Sequence, residues 1–279
     1  MHAQRHARVF TSRSTWRGKY RGHLWCFRGS RPLVAFAFTP TWQAQQVAPW
    51  IHAIPPDVHI QVDDYAGYSA KVPDADGSPT TLVPPERRLG CMMHVRRRFH
   101  AAMKLGDKRA AVPMAIFRKL YEVEKNGRGM SPDDRLALRT AESIPLLDQL
   151  DVWVDEQHDK LGRTGKLTEA VRYAKQQRAF IRRCFSDGHF EIDNGAVERA
   201  IRKPAVGRRN FLFTGSAKAG RRLAGAYSLV QTCRALGIPT RDYLVDVLDK
   251  LQGGWPMRRL VELLPHNGAT ARGLLPATA

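Results

Sequence analysis

The sequence predicts a mixed α/β fold in which strands gathered in the first third give way to a block of helices. Short runs rich in aromatic and β-branched residues, bounded by Gly and Pro, lie between residues 23 and 62. From about residue 93, apolar residues recur at helical spacing, punctuated by cap and stop signals. With 43% hydrophobic and 25% charged residues, the chain has the apolar surface for a packed core and is not disordered by composition.

Taken in order, His23-Leu24-Trp25-Cys26-Phe27 and Leu33-Val34-Ala35-Phe36-Ala37-Phe38 read as two arms of a hairpin, with Gly29 and Pro32 between them. Val58 to Val62 reads as a third strand, ending in Asp63-Asp64. A carboxylate at a strand end is well placed to face a ligand. Residues 73–88, with four prolines and Gly77, read as a loop, and Arg88 to Met92 as a last short strand. Met92, Val95, Phe99 and Met103 then share a helical face. Pro113 is expected to open a second helix with Ile116, Leu120 and Val123 inward. Ser131-Pro132 reads as an N-cap and first helical residue. Thr168-Glu169 should start a helix that buries Val171, Ala174, Ile181 and Phe185. Residues 93–186 thus form a helical block of four or five helices.

Asp193-Asn194 should cap a helix that carries Val197, Glu198 and Ile201 and stops near Pro204, because proline cannot donate to the preceding turn. Phe211-Leu212-Phe213 reads as a short strand or a packing corner. A helix over residues 218–236 closes on Gly237, and Asp242 to Leu251 forms the last one, with Tyr243, Val247 and Leu251 a turn apart. A loosely ordered tail is expected after Pro265. The organisation expected is residues 1–92, a helical block over 93–186, a return to the core over 187–236, and a helical C-terminal element over 237–279.

The charge balance narrows the function. Forty-five basic residues against 26 acidic ones give a net charge of +19, which calls for a polyanionic partner. Nucleic acid and an acidic membrane surface both qualify. No apolar run approaches the ~20 residues of a membrane span, and the His- and Arg-rich start lacks the apolar stretch of a signal peptide. A cytoplasmic location is expected. Cys26, Cys91, Cys184 and Cys233 are scattered without any Cys-x-x-Cys pair, so neither a zinc module nor a disulfide framework is expected.

Two features carry candidate chemistry. Asp63, at a strand end, and Glu198, on a helix, suit a divalent cation, since Mg²⁺ prefers hard oxygen ligands. Equally, Asp63 could simply end its strand and Glu198 pair with Arg202 four residues on. Residues 195–222 hold Arg199, Arg202, Lys203, Arg208, Arg209, Lys218, Arg221 and Arg222 against Glu198 alone. A solvated face usually mixes signs, whereas a one-sign cluster suits phosphates, which the guanidinium fork binds through two oxygens at once. Arg96, Arg97 and Arg98 form a second basic run, either a DNA contact or a solvated face. Nothing here reads bases, so the expected contacts are to the backbone and salt-dependent.

Four stretches, in this order and spacing, resemble the catalytic part of insertion-sequence transposases of the IS66 family. They are Gln61-Val62-Asp63-Asp64-Tyr65-Ala66-Gly67-Tyr68, Gly90 to Phe99, Ile192 to Pro204, and Gly207 to Phe213. The resemblance runs from about His23 to about Pro265. It implies a DDE-type transposase with an RNase H-like core sheet, interrupted by the helical block and followed by the short C-terminal element. Two Asp and one Glu would hold Mg²⁺ or Mn²⁺, with Asp63 as second acid and Glu198 as third. Implied partners are DNA (element ends and target), further copies of the chain or accessory proteins encoded by the element, and a place on the bacterial nucleoid. Cys91-x-x-His94 matches a signature of DDE transposases with such an insertion; two ligands make a poor zinc site, and a structural or positioning role is expected.

The chain departs from the family in two places. Gln4 stands where the resemblance puts the first acid, and no carboxylate precedes Asp57. A neutral amide supplies no charge to a cation, so metal binding should weaken. The family's long N-terminal region is also absent. These departures fit a truncated or decayed gene copy read from an internal start, or an artificial boundary. Three functional readings follow: a DDE strand transferase by descent, a non-catalytic DNA-binding remnant, or a helical interaction protein that only happens to be basic.

Overall fold

A computed structural model describes residues 5–11, 22–29, 31–63, 65–211 and 215–267. The architecture is mixed α/β. A five-stranded sheet has the order β3-β2-β1-β4-β7, built from β1 (Arg5–Thr11), β2 (His23–Arg28), β3 (Val34–Thr39), β4 (Ile60–Val62) and β7 (Arg88–Leu89). β1, β2 and β3 are antiparallel neighbours, while β4 runs parallel to β1 and β7 parallel to β4. Residues 73–88 are more than a loop: Lys71–Pro73 (β5) and Pro79–Thr81 (β6) pair as a small antiparallel sheet. Proline is tolerated there because an edge strand need not donate every amide.

Alternation along the strands sends their side chains to two layers. Trp25 and Ala37 pack with α1 (Ala44–His52), a helix the sequence did not announce. It has no acidic first turn or side-chain cap, and Pro49 lies inside it. It forms because Ala44, Val47, Ala48 and Ile51 are buried against the sheet. On the opposite face, Cys26, Val34 and Phe36 pack with Val197, Ala200 and Ile201 of α7 (Gly195–Phe211) and Ala224 of α8 (Ala217–Ala235). α7 runs through Pro204 instead of stopping there, because Pro204 is buried on the same side as Val197, Ala200 and Ile201. Phe211 is its last residue, and Leu212 and Phe213 lie outside the described residues.

α8 also protects the edge strand. The Val34 amide donates to Thr232 Oγ1 (3.1 Å), whose hydroxyl donates back to the Val34 carbonyl (3.0 Å). One turn earlier, Ser228 Oγ accepts the Phe36 amide at 2.8 Å. Hydroxyls from a helix thus take the place of a sixth strand on β3. Thr232→Val is expected to cost about 1–3 kcal/mol in urea unfolding, because it leaves a buried amide and carbonyl without their partner. An unchanged midpoint would contradict this.

The helical block follows β7 as α2 (Met92–Lys104), α3 (Ala111–Asn126), α4 (Pro132–Leu138), α5 (Ile144–Lys160) and α6 (Lys166–Cys184). Its core joins Leu89, Phe99, Phe117, Leu150, Val171 and Phe185. Ser131 caps α4 as expected, accepting the Asp134 amide. On α2 the inward residue of the last turn is Ala102, while Met103 is 38% exposed. α6 starts at Lys166, ahead of Thr168, and α3 at Ala111, with Pro113 in its first turn. Gly237, at φ 72°, follows α8, and α9 (Thr240–Gln252) buries Tyr243. Among the described residues no helix is long and apolar enough to cross a membrane. The expected loose tail falls largely on residues 268–279, outside the described ones.

Candidate nucleic-acid interface

The site grows from the C-terminal ends of β4 and β7. A polar residue inside the buried strand β4 ties them together. Gln61, fully buried, donates from Nε2 to the carbonyls of Gly90 (2.7 Å) and Glu191 (2.9 Å). The Met92 amide donates to the Ile192 carbonyl at 2.9 Å. The segment leading into α7 therefore lies beside the start of α2. Sequence reading assigned Gln61 no role; a polar residue between two buried aliphatic ones was the available signal.

The Cys91-x-x-His94 motif lies where that segment becomes α7. The Cys91 thiol donates to Asn194 Oδ1 (3.0 Å) and its sulfur accepts the Asn194 amide (3.4 Å). One turn along, His94 Nε2 lies 3.7 Å from Glu198 Oε1, and Arg97 Nη2 donates to Glu198 Oε2 at 3.3 Å. Spacing of three on α2 thus meets spacing of four on α7. Glu198 is thus contacted from α2 by His94 and Arg97, in addition to any contact along its own helix. Asp193 stiffens the junction, accepting the Gly195 amide (2.8 Å) and the Tyr121 hydroxyl (2.8 Å). Asp63 follows β4. Its carboxylate accepts the Tyr65 amide at 3.3 Å, and its carbonyl accepts Arg88 Nη2 at 3.1 Å.

Burial pushes the Cys91 and Cys184 thiols up to about 12. An unfolded chain releases those protons near 8.5. The folded state therefore holds more protons between those values. The thiols' contribution to stability is complete below about pH 8.5 and is lost as pH rises toward 12. Native Cys91 and Cys184 should resist iodoacetamide at pH 8.5 and react only after unfolding in urea. Labelling of the native thiols would overturn this.

Among the described residues, the donors do not make the three-acid metal site that the resemblance implies. Among the described residues no group of three or more His, Cys, Asp or Glu side chains is placed to hold a metal ion. Glu198 already lies against His94 and Arg97. β1, which supplies the strand beside β4, contains no carboxylate. Gln4 lies outside the described residues. The register sets Ala7 beside Val62, so the residues next along the two strands are Arg8 and Asp63.

Glu198 meets positive charge in Arg97 of α2. Arg96 and Arg97 on α2, Arg199 and Arg202 on α7, and Lys218, Arg221 and Arg222 on α8 are all exposed. Lys203, Arg208 and Arg209 belong to α7, but their side chains lie outside the described ones. Arg98 is otherwise engaged, its guanidinium 3.9 Å above the Tyr173 ring of α6.

Sequence reading also missed the brace behind this site. Fully buried Arg139 opens a π-helical turn over Arg139–Ser143 and reaches both Glu124 of α3 and the segment between α6 and α7.

The family model described as "Transposase IS66 family" matches residues 7–222, and the "IS66 C-terminal element" matches residues 228–266. Two similar relatives are uncharacterised proteins of Sinorhizobium fredii. Protein y4qI is 34% identical over 85% of this chain and 44% of its own length; y4jD is 27% identical over 85% and 46%. The chain thus spans less than half the length of these curated relatives. No solved structure matches. The chain belongs to the IS66 transposase family.

Proposed function

We propose that this chain binds DNA through the sugar–phosphate backbone, using exposed cations of α2 and α7 beside a phosphoryl-transfer centre that has lost its first acid, and further exposed cations of α8. The observation that carries the reading is the environment of Glu198. An acid held between His94 and Arg97, with Arg96, Arg199 and Arg202 exposed on the same two helices, suits a polyanion. The five-stranded sheet is read as an RNase H-like core and α2–α6 as its insertion. In this reading the DNA comprises element ends and target, and further copies of the chain or accessory element-encoded proteins complete the assembly at the nucleoid.

A second reading, a DDE-type strand transferase dependent on Mg²⁺ or Mn²⁺, rests on the survival of Asp63 at the end of β4 and of Glu198 on α7. DNA binding with metal chelated, measured beside nicking with Mg²⁺ or Mn²⁺ added, separates the two. The first reading expects binding without nicking. Metal-dependent nicking that disappears in Asp63→Asn and Glu198→Ala would establish the second.

A further inference from the structure

The stretch after Asp63 builds an aromatic cluster. Tyr65 packs against Trp42 (ring centroids 5.2 Å apart), Tyr68 (5.3 Å) and Trp25 (6.0 Å). Its hydroxyl donates to the Trp42 carbonyl. Gly67 allows this, since a Cβ there would fall 2.1 Å from the Tyr65 ring. Trp42 stacks in turn on His23, at 5.6 Å and 27°. Trp25, Tyr68 and His23 are buried, whereas Trp42 is 48% exposed. The cluster is therefore a rigid base with one indole presented to solvent.

Strand direction puts that indole at the acid end of the sheet. β3, β1, β4 and β7 all run the same way, and β2 runs against them. Trp42 follows the C-terminal end of β3, Asp63 that of β4 and Cys91 that of β7, while His23 opens β2 opposite Thr39. Thr39 fixes the exit of β3: its Oγ1 accepts the Trp25 indole N–H at 2.8 Å and donates to the Thr41 carbonyl at 2.6 Å.

We propose that Trp42, supported by His23 and Tyr65, is a stacking platform for an unpaired nucleobase of a frayed or single-stranded DNA end held beside Asp63. The proposal rests on the DNA-binding reading above. Every base offers a π-face, so a preorganised aromatic ring accepts one irrespective of sequence, and exposure of this ring within a basic chain matches that ligand. A paired base inside a duplex cannot reach such a ring without leaving its stack.

The test compares two probes of the same duplex, one blunt and one with a short single-stranded overhang carrying 2-aminopurine, bound to the full chain with metal chelated. The overhang should raise affinity about 5- to 100-fold, and its 2-aminopurine fluorescence should be quenched. Trp42→Ala should remove both effects and leave blunt-duplex affinity unchanged; Trp42→Phe should retain most of them. Equal affinity for the two probes in the parent, or quenching that persists in Trp42→Ala, overturns the platform alone. Failure to bind either probe at low salt overturns the DNA reading together with it.

Discussion

Arg139→Met is expected to lower unfolding stability by about 3–5 kcal/mol in urea titration, the cost of breaking a buried ion pair by removing one partner. The geometry explains why the effect should be this large. A guanidinium has five N–H donors, and here each has an acceptor. Nε and one Nη2 proton go to the two oxygens of Glu124 (2.7 and 2.8 Å). The remaining three go to the carbonyls of Cys184 (3.2 Å), Asp187 (2.7 Å) and Phe190 (2.8 Å). Methionine fills similar volume but strands a mostly buried carboxylate and three carbonyls. Arg135, which also bonds Glu124 at 2.7 Å, compensates only in part, because it approaches from the side of Gly188 and Glu191. Total stabilities of about 5–15 kcal/mol make this a large fraction. Arg139→Lys should recover a minority of the loss, since an ammonium cannot reproduce the planar fork. A loss below about 1 kcal/mol in Arg139→Met would show that the network is not a brace.

The brace lies upstream of the site. Arg139 fixes the carbonyls of Cys184, Asp187 and Phe190, Gln61 fixes that of Glu191, and Cys91 fixes Asn194, one turn ahead of Glu198. Glu198 is therefore positioned from the helical block as well as from the sheet.

Much of this was legible in the sequence where local chemistry decides the outcome. The hairpin of β2 and β3 follows from alternating aromatic residues, and the start of α4 from Ser131-Pro132. Asp63 and Glu198 stood out as carboxylates at a strand end and on a helix, and the Cys91-x-x-His94 motif through the family resemblance. Features set by tertiary packing were not legible. α1 lacks capping signals and exists because the sheet face buries it; α7 outlasts Pro204 for the same reason. Arg139 reads as one more surface charge on a helix of mixed charge until the chain folds back to surround it. The His94 and Arg97 contacts on Glu198 come from α2, about a hundred residues away, where a sequence rule could offer only Arg202 of the same helix. Register also sharpened one expectation. The β1 residue next along beside Asp63 is Arg8, so an acid restored beside Asp63 belongs nearer to that position than to Gln4.

The central claim is that α7 and α8 hold DNA by its phosphates, and salt dependence tests it most directly. Each phosphate neutralised on duplex DNA contributes about −0.9 to the slope of log K against log salt. Arg199, Arg202, Arg221 and Arg222 are exposed, so replacing all four with Ala should leave the fold intact, as circular dichroism can verify. With metal chelated, the account predicts a linear plot for the parent, a slope reduced by about 3–4 in the quadruple variant, and an affinity about a thousand-fold weaker at 0.1 M salt. Asp63→Asn should leave the slope unchanged. An unaltered slope in the quadruple variant, or no DNA binding by the parent at low salt, would contradict it.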